Sequence, residues 1–581
     1  MEQPEHRAEA LVLRYLDLLA EHAPVEATRI GLSHADGELP DLAPGALAAR
    51  SRDLAVLAAE VERAGGAFAE VAGDAAREAR GDLSLLAAEL EFRRFELDVR
   101  PRLLLDPTAV LDTVASAIHE LLADDDGTPG DRCRRLEAAA QRARRVPVLL
   151  EQASALLLSA PAAHLEVAMQ RIPGLLHLVR DVLPARAEAQ GVDVSPARDA
   201  GEVAAEALEA YAALLDELDE EPPGEWRLGS AHHATVLRAG LGTVMTPAQI
   251  EDRARTWISE VRDRLTDLAA RGWSERFPGE RRPGDPEEVI RRTLAAGEAT
   301  ALARHELLPE VRLALAEARA FAVDADLVDV PPAARLRVRE VPVYLRGLAA
   351  AFVTPPPPLA PERGCTCYLS PVPDTWDDER ATAFLRAYTP AALRSLALHE
   401  GYPGHVVQLE HAARHPRLAR RLLARPVFAE GWAVYIERQA VAAGFGTEGT
   451  SRVPAAEHQL VQLRNELRIA TSALVDVGLH AGSLSDDEAV DVLVRAAYQD
   501  PTQARATVLR AQVTSGQLSS YFVGGEELGD LRRRFEVELG SGLDLRAFHQ
   551  ALLSHGTPTV TMVAEALAAH APARRPFAAA S

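Results

Sequence analysis

Lysine is absent: all 63 basic side chains of this 581-residue chain are arginine. Without lysine there is no Schiff-base or pyridoxal-phosphate anchor, no phosphate-loop G-K-[ST] and no serine–lysine dyad. Cysteine is nearly absent too. Cys133, Cys365 and Cys367 are too few and too unevenly placed for a disulfide framework or paired C-x-x-C zinc ligands, and they suit a reducing cytosol. Apolar runs are short, none approaching the roughly 20 residues that span a membrane. The opening segment MEQPEHRAEALVLRYLDLLAEHAP scatters charges among its apolar positions, without the basic start or unbroken apolar stretch of a secretory signal. These absences predict a cytoplasmic protein with no membrane partner. Net positive charge is also missing. The 86 acids against 63 bases leave −23, which repels phosphate backbones and argues against a nucleic-acid partner.

What is present is helix-forming sequence. Alanine, leucine, glutamate and arginine dominate, aromatics make up 5%, and prolines punctuate long helix-prone stretches. The hydrophobic content of 48% allows a real core, in two to four domains or in one large helical body with a cleft. Apolar residues recur at three- and four-residue spacing up to about residue 325, with breaks at Pro, Gly and Asp clusters. The acidic runs Asp124 to Asp126 and Asp216 to Glu221 fall at such breaks and read as solvated loops. Between 333 and 372, the runs RLRVREVPVYL, LAAAFVT and CTCYLSPV are short and β-prone. Helical patterning then returns over 377–387, 390–402, 404–424, 427–443 and 452–482. The expected fold is mostly α: a large multi-helix body with a small β-sheet beside metal-binding helices, around a central cleft. A helical region over 1–325 precedes a catalytic region over 326–581 in what reads as one continuous unit.

His-Glu occurs at His119, His305 and His399, but only the third is followed by G-Y-P-G-H. In the zinc-protease signature H-E-x-x-H both imidazoles share a helical face, about 40° apart. Here the second histidine, His405, comes six residues on, and an unbroken helix would turn it about 120° away. Pro403 and Gly404 predict a break or bulge that returns it: the proline ring clashes with the carbonyl of His399, and glycine accepts backbone paths closed to other residues. Two histidines need a third protein ligand. Glu430 in FAEGWAVYIE, on the next strong helix, is in reach after an antiparallel return. Glu437, seven residues further and on nearly the same face, could hydrogen-bond the outer nitrogen of a ligand histidine. One zinc ion is the expected cofactor, with Glu400 as the base that activates water.

H-E-G-Y-P-G-H-V-V-Q followed by E-G-W-A-V-Y-I-E resembles the bacterial family known as domain of unknown function 885, thought to belong with the thermolysin-like metallopeptidases that use two histidines and a glutamate. ATRIGLSHADGELPDLAP near the start, and QVTSGQLSSYFVGG and FHQALLSHGTP near the end, are similar to its other blocks. The resemblance implies His399, His405 and Glu430 as metal ligands and Glu400 as general base. In the later block the chain keeps Arg510, Gly516, Gln517, Tyr521 and Gly524 but has Ala511 and Ser515 where the family more often has tyrosine and proline. CTCYLSPV, with Tyr368, stands where the family often carries an asparagine in a tyrosine-rich strand, so substrate preference is expected to differ.

The expected reaction is hydrolysis of a peptide or small amide substrate, carboxypeptidase- or dipeptidase-like if Arg510 binds a substrate carboxylate. Tyr521 is the candidate donor to the oxyanion, with His549 and His555 behind it, although a satisfied buried polar role suits both histidines better. A non-peptide amide substrate and a non-catalytic helical scaffold are the alternatives. A di-iron bundle needs two E-x-x-H pairs, and no histidine of this chain has glutamate three residues before it.

Overall fold

Prolines occupy the first position of the helices Pro4–His22, Pro44–Phe68, Pro129–Leu156, Pro247–Arg271 and Pro426–Ala442. A missing N–H costs nothing there, so a proline-rich chain still builds long helices. Reciprocal caps close other donors, Thr128 with Asp131, Thr246 with Gln249 and Ser485 with Glu488. The computed structural model describes residues 3–569 except 124–126, 158, 219–225, 342–350, 373–375 and 448. The run Asp124 to Asp126, the end of the run from Asp216 to Glu221, and the middle of the β-prone region lie outside the described residues.

The fold is mostly α, as its composition predicts. Thr108–Leu122, Pro129–Leu156, Ala162–His177 and Ser195–Glu217 bury one core through Val114, Ile118, Val146, Leu150, Leu175 and Leu208. Pro4–His22, Pro44–Phe68 and Asp74–Arg94 share another through Leu11, Leu57, Leu86 and Leu90, which Leu418 and Leu423 join from beyond the histidine motif. Asp82 strengthens that junction by accepting from Arg417 at 2.6 Å and from the buried Arg420 at 2.7 Å. In a third core, Pro247–Arg271 lies along Ala455–Ala481 and Gln517–Leu539 through Val261, Leu265, Leu467, Leu474 and Phe522.

Among the described residues one sheet forms, of β1 (Leu336–Glu340), β2 (Ala351–Thr354) and β3 (Cys365–Leu369). Its order is β1-β3-β2, with β3 parallel to β1 and antiparallel to β2. The central β3 is buried throughout; β2 is an edge strand beside the turn that carries His399. Burial pushes the Cys367 thiol up to about 12 and raises that of Cys365, which leaves neither as a nucleophile at neutral pH.

Two predicted helices are corrected. The stretch 404–424 is two helices, His405–Ala413 and Leu418–Leu422, because Pro416 cannot donate to the ladder and its ring disfavours helical backbone at His415. The stretch 390–402 is regular only over Pro390–Leu396.

Candidate functional site

After Leu396 the chain widens into a π-turn, Ala397–Gly401, in which the N–H of Tyr402 reaches back to the carbonyl of Ala397 at 3.0 Å. Tyr402 is extended, and a new helix starts at His405. Gly404 makes the join possible, since a Cβ there would stand 1.9 Å from the His399 carbonyl oxygen and 2.4 Å from that of Leu398. Close approach, not a left-handed conformation, is what requires glycine: its φ is −74°. The predicted break therefore exists, and it begins earlier than Pro403. The His399 and His405 rings end 4.9 Å apart and perpendicular.

The E-G-W run carries three separate jobs. Trp432 is fully buried, and its indole N–H donates to the carbonyls of Pro403 at 3.1 Å and Gly404 at 3.3 Å, clamping the join. Gly431 lets Pro426–Ala442 meet Gln517–Leu539 backbone to backbone: a Cβ on Gly431 would lie 2.5 Å from Gly524 Cα, and one on Gly524 1.9 Å from the Val427 oxygen. That contact sets Glu430 and Tyr521 on the same side. Glu430 Oε2 lies 3.2 Å from His405 Nε2 and 3.8 Å from His399 Nε2.

Donors about 2.0–2.1 Å from a tetrahedral zinc are about 3.4 Å apart, so this histidine–histidine–carboxylate trio, whose ligand atoms all lie within 4.8 Å of one another, fits the ion. Among the described residues one other such trio exists, Glu21, His22 and Asp53, but there His22 and Asp53 already pair at 2.9 Å and Glu21 is exposed.

Glu437 Oε2 sits 3.8 Å from His399 Nδ1, the outer nitrogen, and its other oxygen accepts from Ser395 Oγ. Asn465 donates in turn to Ser395 at 3.1 Å. Burial opposes charge on His399, yet Glu430 and Glu437 outweigh it and raise its pKa to about 10. Burial also opposes charge on Glu430, but the two imidazoles hold its carboxyl well below the usual range. Glu400 lies against the N–H of Val353 in β2, and burial lifts its pKa despite both histidines. The phenol of Tyr521, pushed up to about 12 chiefly by burial, lies 3.4 Å from Arg510, and its ring stacks obliquely over His399 at 6.4 Å.

These groups open on a cleft of about 2560 Å³, also lined by Tyr368, Arg510 and Gln517. That exceeds the roughly 300–1,000 Å³ of a small-molecule pocket. Tyr368 stacks on Phe352 of β2 at 5.1 Å. Ser395 and Asn465, invisible to motif reading, carry no local signal because their role exists only through Glu437.

His549 and His555 do not line the cleft. His549 is a satisfied core histidine, bonded through Nδ1 to the Leu327 carbonyl and through Nε2 to Tyr435 OH, each at 2.8 Å. His555 does not line the cleft; its carbonyl accepts from Arg420. Burial lowers the pKa of His549 to about 4, and likewise those of His458 and His480. In the unfolded chain each takes up a proton near 6.5, but in the native state only near 4. The stability these three contribute is therefore complete above pH 6.5 and falls as pH drops through that window. Thermal denaturation across the window is expected to show a steadily falling Tm; a flat profile would mean that these imidazoles are charged in the fold.

No curated protein matches this chain. Among the solved structures that share its fold are two bacterial proteins. One, from Shewanella oneidensis, is provisionally described as a lipoprotein of unknown function and has 20% identity and a TM-score of 0.77, covering 98% of this chain and 100% of its own. The other, from Colwellia psychrerythraea, is also provisionally described as a lipoprotein and has 17% identity and a TM-score of 0.75, covering 98% and 99%. The expected cytoplasmic location is overturned by this comparison, since lipoproteins are held at membrane surfaces. Scarce cysteine does not separate the compartments, and a lipid anchor needs no spanning helix. No described helix is long and apolar enough to cross a membrane. Over residues 24–567 the sequence matches a bacterial family of unknown function, DUF885, and it is to this family that the chain belongs.

Proposed function

We propose that this protein is a zinc-dependent hydrolase of peptide or amide bonds, a thermolysin-like arrangement of two histidines and a glutamate. The observation that carries the reading is the convergence of His399, His405 and Glu430, with Glu400 beside them on a cleft wide enough for a peptide. A zinc ion held by these three residues would lower the pKa of its bound water from about 15.7 to about 7. Glu400, its pKa raised by burial, takes the proton of the attacking water and passes it to the leaving amine. Tyr521 stays protonated at neutral pH and donates to the oxyanion that develops on the attacked carbonyl. Glu437 is a positioning residue that orients His399 through Nδ1. The edge strand β2 lies next to Glu400, where an extended peptide can pair along it.

Metal analysis of zinc-reconstituted protein, with cleavage assays on short peptides bearing free and blocked termini and on non-peptide amides, tests the proposal. About one zinc per chain and zinc-dependent cleavage are expected; substoichiometric metal with no cleavage refutes it and leaves the scaffold reading. Tyr521→Phe is expected to lower kcat by roughly 10- to 1000-fold with little change in KM. Unchanged kcat in that variant would remove Tyr521 from the chemistry.

A further inference from the structure

In a chain with 86 acids, most arginines of the structure find a carboxylate. Arg468 and Arg510, which face the cleft, are among those that do not. Arg468 lies one turn after Arg464 on Ala455–Ala481. Arg464 is neutralised by Glu298 at 2.7 Å. Among the described residues no carboxylate pairs with Arg468 or with Arg510, although both line the cleft. Its electrostatic neighbours are Arg464, Arg510, Tyr521 and Tyr388, and the two guanidiniums lower its pKa. The side chain is open to the cleft water. Tyr388 also lines the cleft, and its hydroxyl is buried with no hydrogen-bond partner. Arg510 touches Tyr521 OH at 3.4 Å.

Unpaired like charges facing one another beside an orphaned hydroxyl are costly, and a bound anion offsets that cost. We infer that Arg468 and Arg510, with Tyr388, form the binding site for the free α-carboxylate at the C-terminus of a short peptide. Tyr521 sets the scale. Its ring lies over His399 and its hydroxyl meets Arg510, so about two residues of extended chain, at roughly 3.5 Å each, bridge the metal ligands and the guanidiniums. Cleavage then releases one or two residues from the C-terminus. That outcome rests on the hydrolase proposal; the carboxylate site itself does not.

Calorimetric titration of the full chain, metal-free and zinc-loaded, with N-acetyl-alanyl-phenylalanine, N-acetyl-alanyl-alanine and their C-terminal amides is the test. The free acids are expected to bind at least about tenfold more tightly than the amides, about 1.4 kcal/mol, in both metal states. Arg468→Gln and Arg510→Gln each bring the acid towards the amide. Arg468→Lys restores part of the difference, since it keeps the charge and loses the planar fork. Arg468→Gln should leave Tm unchanged or higher, because it relieves like-charge repulsion, whereas a structural arginine would lower it. Equal binding of acids and amides, or no binding of either acid, overturns the inference. Equal binding with zinc-dependent cleavage of the amides removes the carboxylate site and keeps the hydrolase; acid-selective binding without cleavage does the reverse.

Discussion

Glu400→Gln is expected to keep one zinc per chain and lose turnover by roughly 10²- to 10⁴-fold. The substitution is nearly isosteric, so the packing against Val353 and the three donor atoms survive, while the amide cannot take a proton from water. Burial already raises the pKa of Glu400 above the ordinary carboxyl range. That makes it a stronger base than an exposed carboxylate and one whose loss water does not replace. Metal analysis and single-turnover cleavage on the same preparation separate the outcomes. Full turnover in the variant refutes the assignment of base. Lost zinc would show instead that Glu400 is a ligand.

Replacing His405 by Ala, or Glu430 by Gln, is expected to abolish zinc binding and with it all zinc-dependent turnover. The loss has a second readout. Ligand that binds only the native state stabilises it by about 2.7 kcal/mol at a hundredfold excess over Kd, which for a chain of this size raises Tm by about 2 °C; the variants should show no rise. The metal must also displace a proton. In the metal-free site His399 is charged up to about pH 10, where Glu430 and Glu437 outweigh its burial. Only neutral imidazole binds metal, so apparent zinc affinity should climb about tenfold per pH unit below that value. A pH-independent affinity would show that His399 is already neutral in the metal-free site.

The chemistry-bearing residues were legible where their signal is local. Pro403 and Gly404 announce a broken helix because ring sterics act within one turn, and the break is there, although the π-turn at Ala397–Gly401 begins before the proline. The helical class follows from composition and period. Pro416 was overlooked as a second stop. The β-prone runs gave a sheet but not its order, in which β1 pairs in parallel with β3 rather than with its neighbour in sequence.

His549 and His555 illustrate the opposite case. Both sit in a block that reads as functional, yet the fold turns His549 into the core between Leu327 and Tyr435 and keeps His555 out of the cleft. Nothing within a few residues of either distinguishes these fates.

By itself the sequence singled out His399 and His405 as candidate donors, with Glu430 joining them chiefly through the family resemblance, and it determined the mostly helical build and the break between the two histidines. These are consequences of backbone sterics and hydrophobic period, which act over a few residues. Tertiary structure alone decided that Glu430 and Tyr521 face the same point, that Ser395 and Asn465 hold Glu437, and that Arg468 and Arg510 share a cleft wall without a counter-charge. Those pairings join residues dozens of positions apart. They depend on the backbone contact of Gly431 with Gly524 and on the side-by-side packing of whole helices, for which the local chain carries no code.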